Sequence, residues 1–282
     1  MRRVLLAAAI AACALAAPAA QTKFTSRVES VRLDALVTRN GQPLLGLTAD
    51  DFEIRDNGAV QHVTLLGAGS RPLDVILALD MSSSLTRERL AALREAGDAL
   101  LNGLKPGDRA ALATFSHAVQ RRQALAADVE AVRRTLYDAE PSGATSLVDA
   151  MFAAISMAEP GDRRTLLIVF SDGIDTASWL QPTAVVRAAQ RTDTVVYAVS
   201  TVGAGQAAAL LRDVTAATGG KVLAADSTTL ASAFVRILDE FRQRYVLSYT
   251  LGGTPAPGWH RIQVRVRSRG AEVKARPGYE VR

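Results

Sequence analysis

The sequence predicts an α/β protein: a doubly wound, mostly parallel sheet inserted into a small antiparallel β-sandwich that both chain ends build together. Three observations predict it. Between Leu73 and about Arg242, short runs that are apolar on both faces alternate with helical stretches, the texture of a parallel sheet covered by helices. Before and after that region apolar residues recur at every second position, as in half-buried antiparallel strands. Neither end holds enough strands to be stable alone, so the economical arrangement packs one against the other.

The chain opens on a stretch that belongs outside the fold. Met1-Arg2-Arg3 is charged, Val4 to Ala16 is almost wholly apolar, and Ala17-Pro18-Ala19 places small residues where a signal peptidase cuts. Residues 1–19 therefore read as a secretory signal peptide, with Ala20 starting the mature chain. Two alternatives stand beside it. An uncleaved anchor is disfavoured by the short run and Pro18, and a lipid-modified Cys13 is suggested by Ile10-Ala11-Ala12-Cys13, with an unusually short apolar stretch before it. The expectation is an exported, soluble protein, periplasmic or extracellular, with no membrane span in the mature chain.

Residues 20–70 form the N-terminal β segment. Val31, Leu33, Ala35 and Val37 alternate with Arg32, Asp34, Leu36 and Thr38, and Asn40-Gly41 turns the chain. Phe52-Glu53-Ile54-Arg55 runs into Asn57-Gly58, a dipeptide suited to the positive φ of a two-residue hairpin, and Val60 to Leu66 resumes as one strand of a small antiparallel sheet. Residues 71–243 form the α/β domain. Its strands are Val75–Leu79, Ala110–Phe115, Leu166–Phe170 and Val195–Val199. Its helices are Thr86–Leu104, Asp128–Tyr137, Ser146–Ala158, Thr183–Arg191, Gln206–Thr218 and Thr228–Phe241. Residues 244–282 return to β texture, with a strand over Tyr245–Leu251, a turn-rich loop from Gly252 to Gly258, and Ile262, Val264 and Val266 alternating with Gln263, Arg265 and Arg267.

Composition removes several function classes. The 282 residues are 49% hydrophobic and 22% charged, which excludes a disordered or low-complexity chain. A single cysteine cannot close an intrachain disulfide, and a zinc site built on several Cys or His would have only His62, His117 and His260 to draw on in the mature chain, against a zinc enzyme. Only 5% of residues are aromatic, against base-stacking nucleic-acid binding. The formal charge of +5 falls to +3 once residues 1–19, with two arginines and no acid, are removed. No nucleic-acid partner is expected.

Chemistry concentrates where strands end. A doubly wound sheet binds its ligand outside the carboxyl ends of its strands. The first α/β strand ends in Asp80-Met81-Ser82-Ser83-Ser84. Gly143-Ala144-Thr145-Ser146-Leu147 opens a helix, and Ser171-Asp172-Gly173 ends the strand Leu166–Phe170. All three clusters belong on one rim of the sheet. Two carboxylates, two serine hydroxyls and a threonine hydroxyl make an all-oxygen set for a hard divalent ion, and magnesium fits best because the set is small and would keep water ligands. Calcium and manganese are the alternatives. Each cluster also has a local reading. Ser82 to Ser84 and Thr145 could be helix N-caps, and Asp172-Gly173 an ordinary turn.

Together these residues resemble the metal-ion-dependent adhesion site of von Willebrand factor type A domains: Asp80-x-Ser82-x-Ser84, then Gly143-x-Thr145, then Ser171-Asp172-Gly173. The resemblance covers about Pro72 to Arg242, with Phe115-Ser116 and Thr145-Ser146-Leu147-Val148-Asp149-Ala150 in agreement. The flanks Val31–Thr38, Leu47-Thr48-Ala49-Asp50-Asp51-Phe52 and Arg276-Pro277-Gly278-Tyr279 resemble an exported bacterial family whose type A domain lies between two β segments. The resemblance implies a Rossmann-like fold in which Ser82, Ser84 and Thr145 are hydroxyl ligands, and Asp80 and Asp172 bind directly or through water. Mostly neutral ligands would leave the ion electrophilic enough to take an Asp or Glu carboxylate from a partner protein. Asp175 and His117 are expected to be turn and loop residues, and Arg261, Arg265 and Arg267 a solvated strand face.

The expected function is thus a non-enzymatic adhesion or scaffolding module. The alternatives are a metal-assisted hydrolase or phosphoryl-transfer enzyme, and a structural envelope protein whose metal site is unused. The enzyme reading lacks a second aspartate two residues after Asp80, where Ser82 stands, and the chain shows no Gly-x-Ser-x-Gly elbow, Walker A loop or dinucleotide fingerprint.

Overall fold

The structure is a computed structural model that describes residues 30–68, 71–171, 174–200, 205–251 and 256–281. The signal-peptide segment, Cys13 and Asp172 lie outside the described residues.

The chain begins with β1 (Ser30–Arg39), β2 (Gln42–Pro43), β3 (Phe52–Asp56), β4 (Ala59–Gln61) and β5 (Thr64–Ala68). The α/β region follows as β6 (Leu73–Asp80), α1 (Arg87–Asn102), β7 (Arg109–Phe115), β8 (Val119–Ala126), α2 (Val129–Tyr137), α3 (Leu147–Ser156), β9 (Arg164–Ser171), α4 (Pro182–Gln190), β10 (Val195–Ser200), α5 (Gly205–Thr218), β11 (Val222–Ala224) and α6 (Leu230–Arg242). The chain returns to strands with β12 (Tyr245–Thr250), β13 (Gly258–Val266), β14 (Ala271–Lys274) and β15 (Gly278–Val281).

Both ends of the chain contribute to both antiparallel sheets. One sheet runs β14-β1-β12-β5 with β2 on β1, the other β15-β13-β3-β4. Strand β1 is shared along its length: Ser30 to Ala35 pair with β12, and Leu36 to Arg39 with β14. Between the sheets one core collects Val31, Leu33, Ala35 and Val37 of β1, Phe52 and Ile54 of β3, Tyr245, Leu247 and Tyr249 of β12, and Ile262 of β13. The alternation in β1 supplies one wall of this sandwich. The second wall comes from residues some two hundred positions away, which is why neither end can form it alone. A buried carboxylate joins the two walls. Asp56 accepts hydrogen bonds from the Tyr249 hydroxyl at 2.7 Å and the Tyr279 hydroxyl at 2.8 Å, and lies 2.9 Å from Nδ1 of His260, whose Nε2 is 2.8 Å from the Ala256 carbonyl.

The central sheet has the order β11-β10-β9-β6-β7-β8, parallel throughout except for β8, which is antiparallel to β7. Every residue of β6 and β9 is buried because helices cover both faces. Val75, Leu77 and Leu79 pack with α1, α2 and α6 on one face, and Ile76 and Ala78 with α3, α4 and α5 on the other. Strand order reverses between β6 and β9, and the crevice of a doubly wound sheet opens at that reversal.

Buried arginines join the insert to the sandwich. Arg164, at the start of β9, donates from Nε to Asp34 of β1 at 2.7 Å and from Nη2 to the Phe241 carbonyl at 2.7 Å, and stacks 4.4 Å from the Phe241 ring centre. Arg244 donates to the Asp34 carbonyl at 3.1 Å, the Gly219 carbonyl at 2.6 Å and the Tyr197 hydroxyl at 2.9 Å. The entry and exit of the insert meet at one carboxylate: Asp108 accepts the Leu73 N–H at 2.8 Å and the Arg242 guanidinium at 2.6 Å.

The sandwich inserted by an α/β domain is as the sequence predicts, and helix ends move by one or two residues. Several details differ, among them the short strands β2, β14 and β15, which the sequence reading does not resolve. The single strand expected over Val60–Leu66 is two, β4 and β5, because the chain crosses from one sheet to the other at His62-Val63. Strand β8 was not anticipated, since Val119-Gln-Arg-Arg-Gln-Ala-Leu-Ala shows no period of two, and its register on β7 shifts twice. Strand β11 is three residues long, too short to register as a pattern.

Candidate metal centre

Asp80 is the last residue of β6 and Ser171 the last of β9, so the strand reversal places them side by side. Asp80 is fully buried. Its Oδ1 accepts the Ser82 N–H at 2.9 Å and its Oδ2 accepts the Ser171 hydroxyl at 2.8 Å. Two neutral donors thus fix the carboxylate plane at the mouth of the crevice.

The loop after Asp80 is bound at both edges. Met81 N–H reaches the Phe115 carbonyl at 2.7 Å, and Leu85 N–H the Ser82 carbonyl at 3.0 Å. The Ser82 and Ser84 hydroxyl oxygens lie 2.9 Å apart. Helix α1 then begins under Thr86, whose side chain accepts the Arg89 N–H at 3.3 Å. The N-cap role open to Ser82–Ser84 in the sequence therefore belongs to Thr86.

The second cluster is tied to the first through its backbone. Ser83 N–H donates to the Gly143 carbonyl at 2.9 Å, and Ser142 N–H to the Met81 carbonyl at 2.8 Å. Gly143 sits at φ +69°, a conformation that favours glycine, and a Cβ there would stand 2.5 Å from Nδ1 of the His117 ring and displace it. Thr145 is buried. Its N–H donates to the Thr176 hydroxyl at 3.1 Å, and its carbonyl accepts from Thr176 N–H at 2.8 Å and Ala177 N–H at 3.0 Å. The N-cap of α3 is Ser146, not Thr145, and the Ser146 hydroxyl donates to the Ser116 carbonyl at 2.7 Å.

Four of the five candidate ligands, Asp80, Ser82, Ser84 and Thr145, thus lie in two loops that hydrogen-bond to each other. Asp172 directly follows Ser171 in the chain but lies outside the described residues. Asp175 accepts from Val148 N–H at 3.3 Å and the Ser178 hydroxyl at 2.5 Å, which uses it to hold α3. His117 is exposed in the turn between β7 and β8, and Arg261, Arg265 and Arg267 are exposed as well. Sequence reasoning missed Thr86, Thr176, the Ser171 hydroxyl as the support of Asp80, and Asp149, which accepts the Trp179 and Leu180 N–H groups at 3.0 and 2.9 Å. Each acts across the fold, and only the Ser/Thr/Asp composition of these loops hinted at them.

The donor set fits a hard divalent ion. The Ser82 and Ser84 hydroxyls are hydrogen-bonded to each other at 2.9 Å, near enough for one ion with bonds of about 2.1 Å to reach both oxygens. A buried carboxylate and hydroxyl oxygens are what such an ion prefers.

These features define an α/β domain with an oxygen-lined site at the switch point of its sheet. Residues 75–174 match the family model of the von Willebrand factor type A domain, and the chain carries such a domain. Inter-alpha-trypsin inhibitor heavy chain H4 of Sus scrofa is 32% identical over 125 residues, 40% of this chain and 14% of that protein. The chain thus spans only a small part of the curated relatives it matches. Among solved structures, a von Willebrand factor type A protein from Catenulispora acidiphila is similar with a TM-score of 0.54 at 15% identity, covering 92% of this chain and 74% of that one. Proximal thread matrix protein 1 of the mussel byssus, with zinc occupying its adhesion-site motif, aligns with a TM-score of 0.57 at 12% identity over 68% of this chain and 50% of that one. At such identities the likeness concerns the fold. Domains of this class typically mediate protein–protein interaction and metal-dependent binding, and most are interaction modules.

Proposed function

We propose that the protein is an exported, metal-dependent protein-binding module in which Asp80, Ser82, Ser84, Thr145 and Asp172 hold a divalent cation, magnesium before calcium or manganese, that takes an acidic residue of a partner. The observation that carries this reading is the buried Asp80 carboxylate, fixed by the Ser82 N–H and the Ser171 hydroxyl beside the hydrogen-bonded hydroxyls of Ser82 and Ser84. A bound ion supplies a positive centre open to a carboxylate oxygen. The chain's own residues do the rest. Asp80 compensates part of the charge, the serine and threonine hydroxyls bind without neutralising it, and the hydrogen bonds between the loops keep them in register. Among the described residues no helix is long and apolar enough to cross a membrane. The export reading, periplasmic or extracellular, rests on residues 1–19, and the proposed limits of the parts are 20–70, 71–243 and 244–282.

Isothermal titration with Mg2+ tests the centre. Asp80→Ala removes charge compensation and is expected to weaken binding at least ~10-fold, about 1.4 kcal/mol, with the circular dichroism spectrum unchanged. Partner capture from the native envelope should vanish with EDTA. Capture that survives both EDTA and Asp80→Ala would overturn the reading, and so would turnover of phosphate or acyl esters that is lost in Asp80→Ala.

A further inference from the structure

Beside the candidate centre the protein displays a tryptophan to solvent. Trp179 is 93% exposed, far more than Tyr137 at 46%, Trp259 at 41% or Phe152 at 38%, the other exposed large aromatics among the described residues. Its loop, between β9 and α4, also exposes Ile174 and Leu180. Phe152 of α3 is exposed too, and it lies one helical turn from Asp149, the residue that binds the Trp179 and Leu180 N–H groups. Phe152 therefore shares the face of α3 to which the Trp179–Leu180 backbone is tied.

The loop that carries the indole is fixed. Both Asp149 oxygens accept its backbone N–H groups, Asp149 N–H donates to the Ser178 hydroxyl at 3.1 Å, and that hydroxyl donates to Asp175 at 2.5 Å. The carboxylates nearest Trp179 are thus engaged in holding the loop. The same loop is anchored on a candidate ligand, since Thr176 and Ala177 N–H bind the Thr145 carbonyl. Trp179 follows Ala177 by two residues, about 7 Å of chain at most, which keeps the indole within reach of one short extended peptide that also meets the centre. A large rigid side chain, presented at little entropic cost beside a charged centre, is the composition of a binding hot spot.

We infer that Trp179, with Leu180 and Phe152, is the apolar half of the partner site, and that the partner is a protein segment carrying an Asp or Glu with a bulky apolar residue within about four positions of it. This rests on the metal-dependent reading above. The carboxylate takes the ion, and the neighbouring apolar side chain covers the indole.

A displayed library of nine-residue peptides with a fixed central aspartate, selected on the full chain in Mg2+ and eluted with EDTA, tests it. The expected result is enrichment of Phe, Trp, Leu, Ile or Met within four positions of the aspartate. A synthetic copy of the enriched peptide should bind Trp179→Ala about 30-fold more weakly and Trp179→Phe only severalfold more weakly. The indole is exposed, so neither substitution removes a packed side chain. EDTA-eluted peptides without apolar preference, or equal binding to Trp179→Ala, would overturn the inference while leaving the metal reading standing. Apolar peptides captured equally with EDTA present would overturn the coupling of patch to ion. Capture of nothing, or capture unaffected by Asp80→Ala, would overturn both. A wild-type dimer that Trp179→Ala dissociates in sedimentation would assign the patch to a second copy and overturn the inference.

Discussion

Arg164 offers a sharp test of how the insert is bound to the sandwich. Its side chain has no exposed surface, the Asp34 side chain is 7% exposed, and the ion pair spans β9 and β1. Arg164→Met keeps much of the side-chain volume but leaves the Asp34 carboxylate buried without its partner. Solvent screening is negligible at this burial, so the loss should be that of a broken buried pair, about 3–5 kcal/mol. The pair itself is imperfect, because Arg164 Nη1 is buried with no hydrogen-bond partner among the described residues. Removing both charges together should therefore cost little. Asp34→Leu with Arg164→Met is expected to recover most of the single-variant loss. Equilibrium guanidinium unfolding of the wild type, both single variants and the double variant closes the cycle. A loss below about 1 kcal/mol in Arg164→Met, or a double variant worse than either single one, would refute the reasoning.

Three other perturbations follow from the same structure. Burial disfavours a charged His260, but the Ala256 carbonyl and the Asp56 carboxylate outweigh it and hold its pKa above the ordinary 6.5. Its stabilisation should thus be full below that value and fade as pH rises through the higher folded one, a slope that His260→Gln should flatten in denaturation curves across neutral pH. Ser171→Ala removes the donor to Asp80 Oδ2, so Mg2+ binding should weaken severalfold and stability fall by about 1–3 kcal/mol, both read on one preparation by calorimetry and unfolding. Gly220→Ala would drive a Cβ to 1.8 Å from the Val196 carbonyl oxygen, a backbone atom that cannot step aside. It should lower the melting temperature more than the solvent-facing Gly58→Ala, whose Cβ meets nothing within 4 Å among the described residues and whose cost is the φ of +88° alone.

What could be read in the sequence was whatever is written locally. Asn57-Gly58 has φ of +47° and +88°, and Asn40-Gly41 φ of +51° and +75°, because both pairs supply the positive dihedrals of a two-residue hairpin. Strands β6 and β9 stood out because burial on both faces leaves unbroken apolar runs. The Asp80, Ser82 and Ser84 spacing was legible because one turn carries it. Thr86 took the cap that Ser82–Ser84 could have filled, and sequence offers no way to rank hydroxyls so close together. Thr176, Asp149 and the Ser171 hydroxyl act through partners 30 or more residues away, distances at which local pattern is silent. Strand β8 was hidden because an edge strand with one wet face and two register shifts has no need of regular alternation.

The junction at Asp108 bears on the order of events in folding. β1 must pair with β12 across roughly 200 residues, and in an unstructured chain the two seldom meet. Once the α/β domain has formed, Asp108 holds Leu73 and Arg242 to one carboxylate, and the strands that lead out of the insert start as neighbours. The long loop then behaves as a short one. The sandwich is accordingly the late-forming part, its N-terminal strands holding only their own hairpins, β1–β2 and β3–β4, until the C-terminal ones are in place. During that interval β1 is an open edge of ten residues with an apolar face, the stretch most exposed to mispairing with another chain. Any treatment that slows closure of the insert lengthens that wait, so the aggregation yield on refolding should report on the α/β domain before it reports on the sandwich.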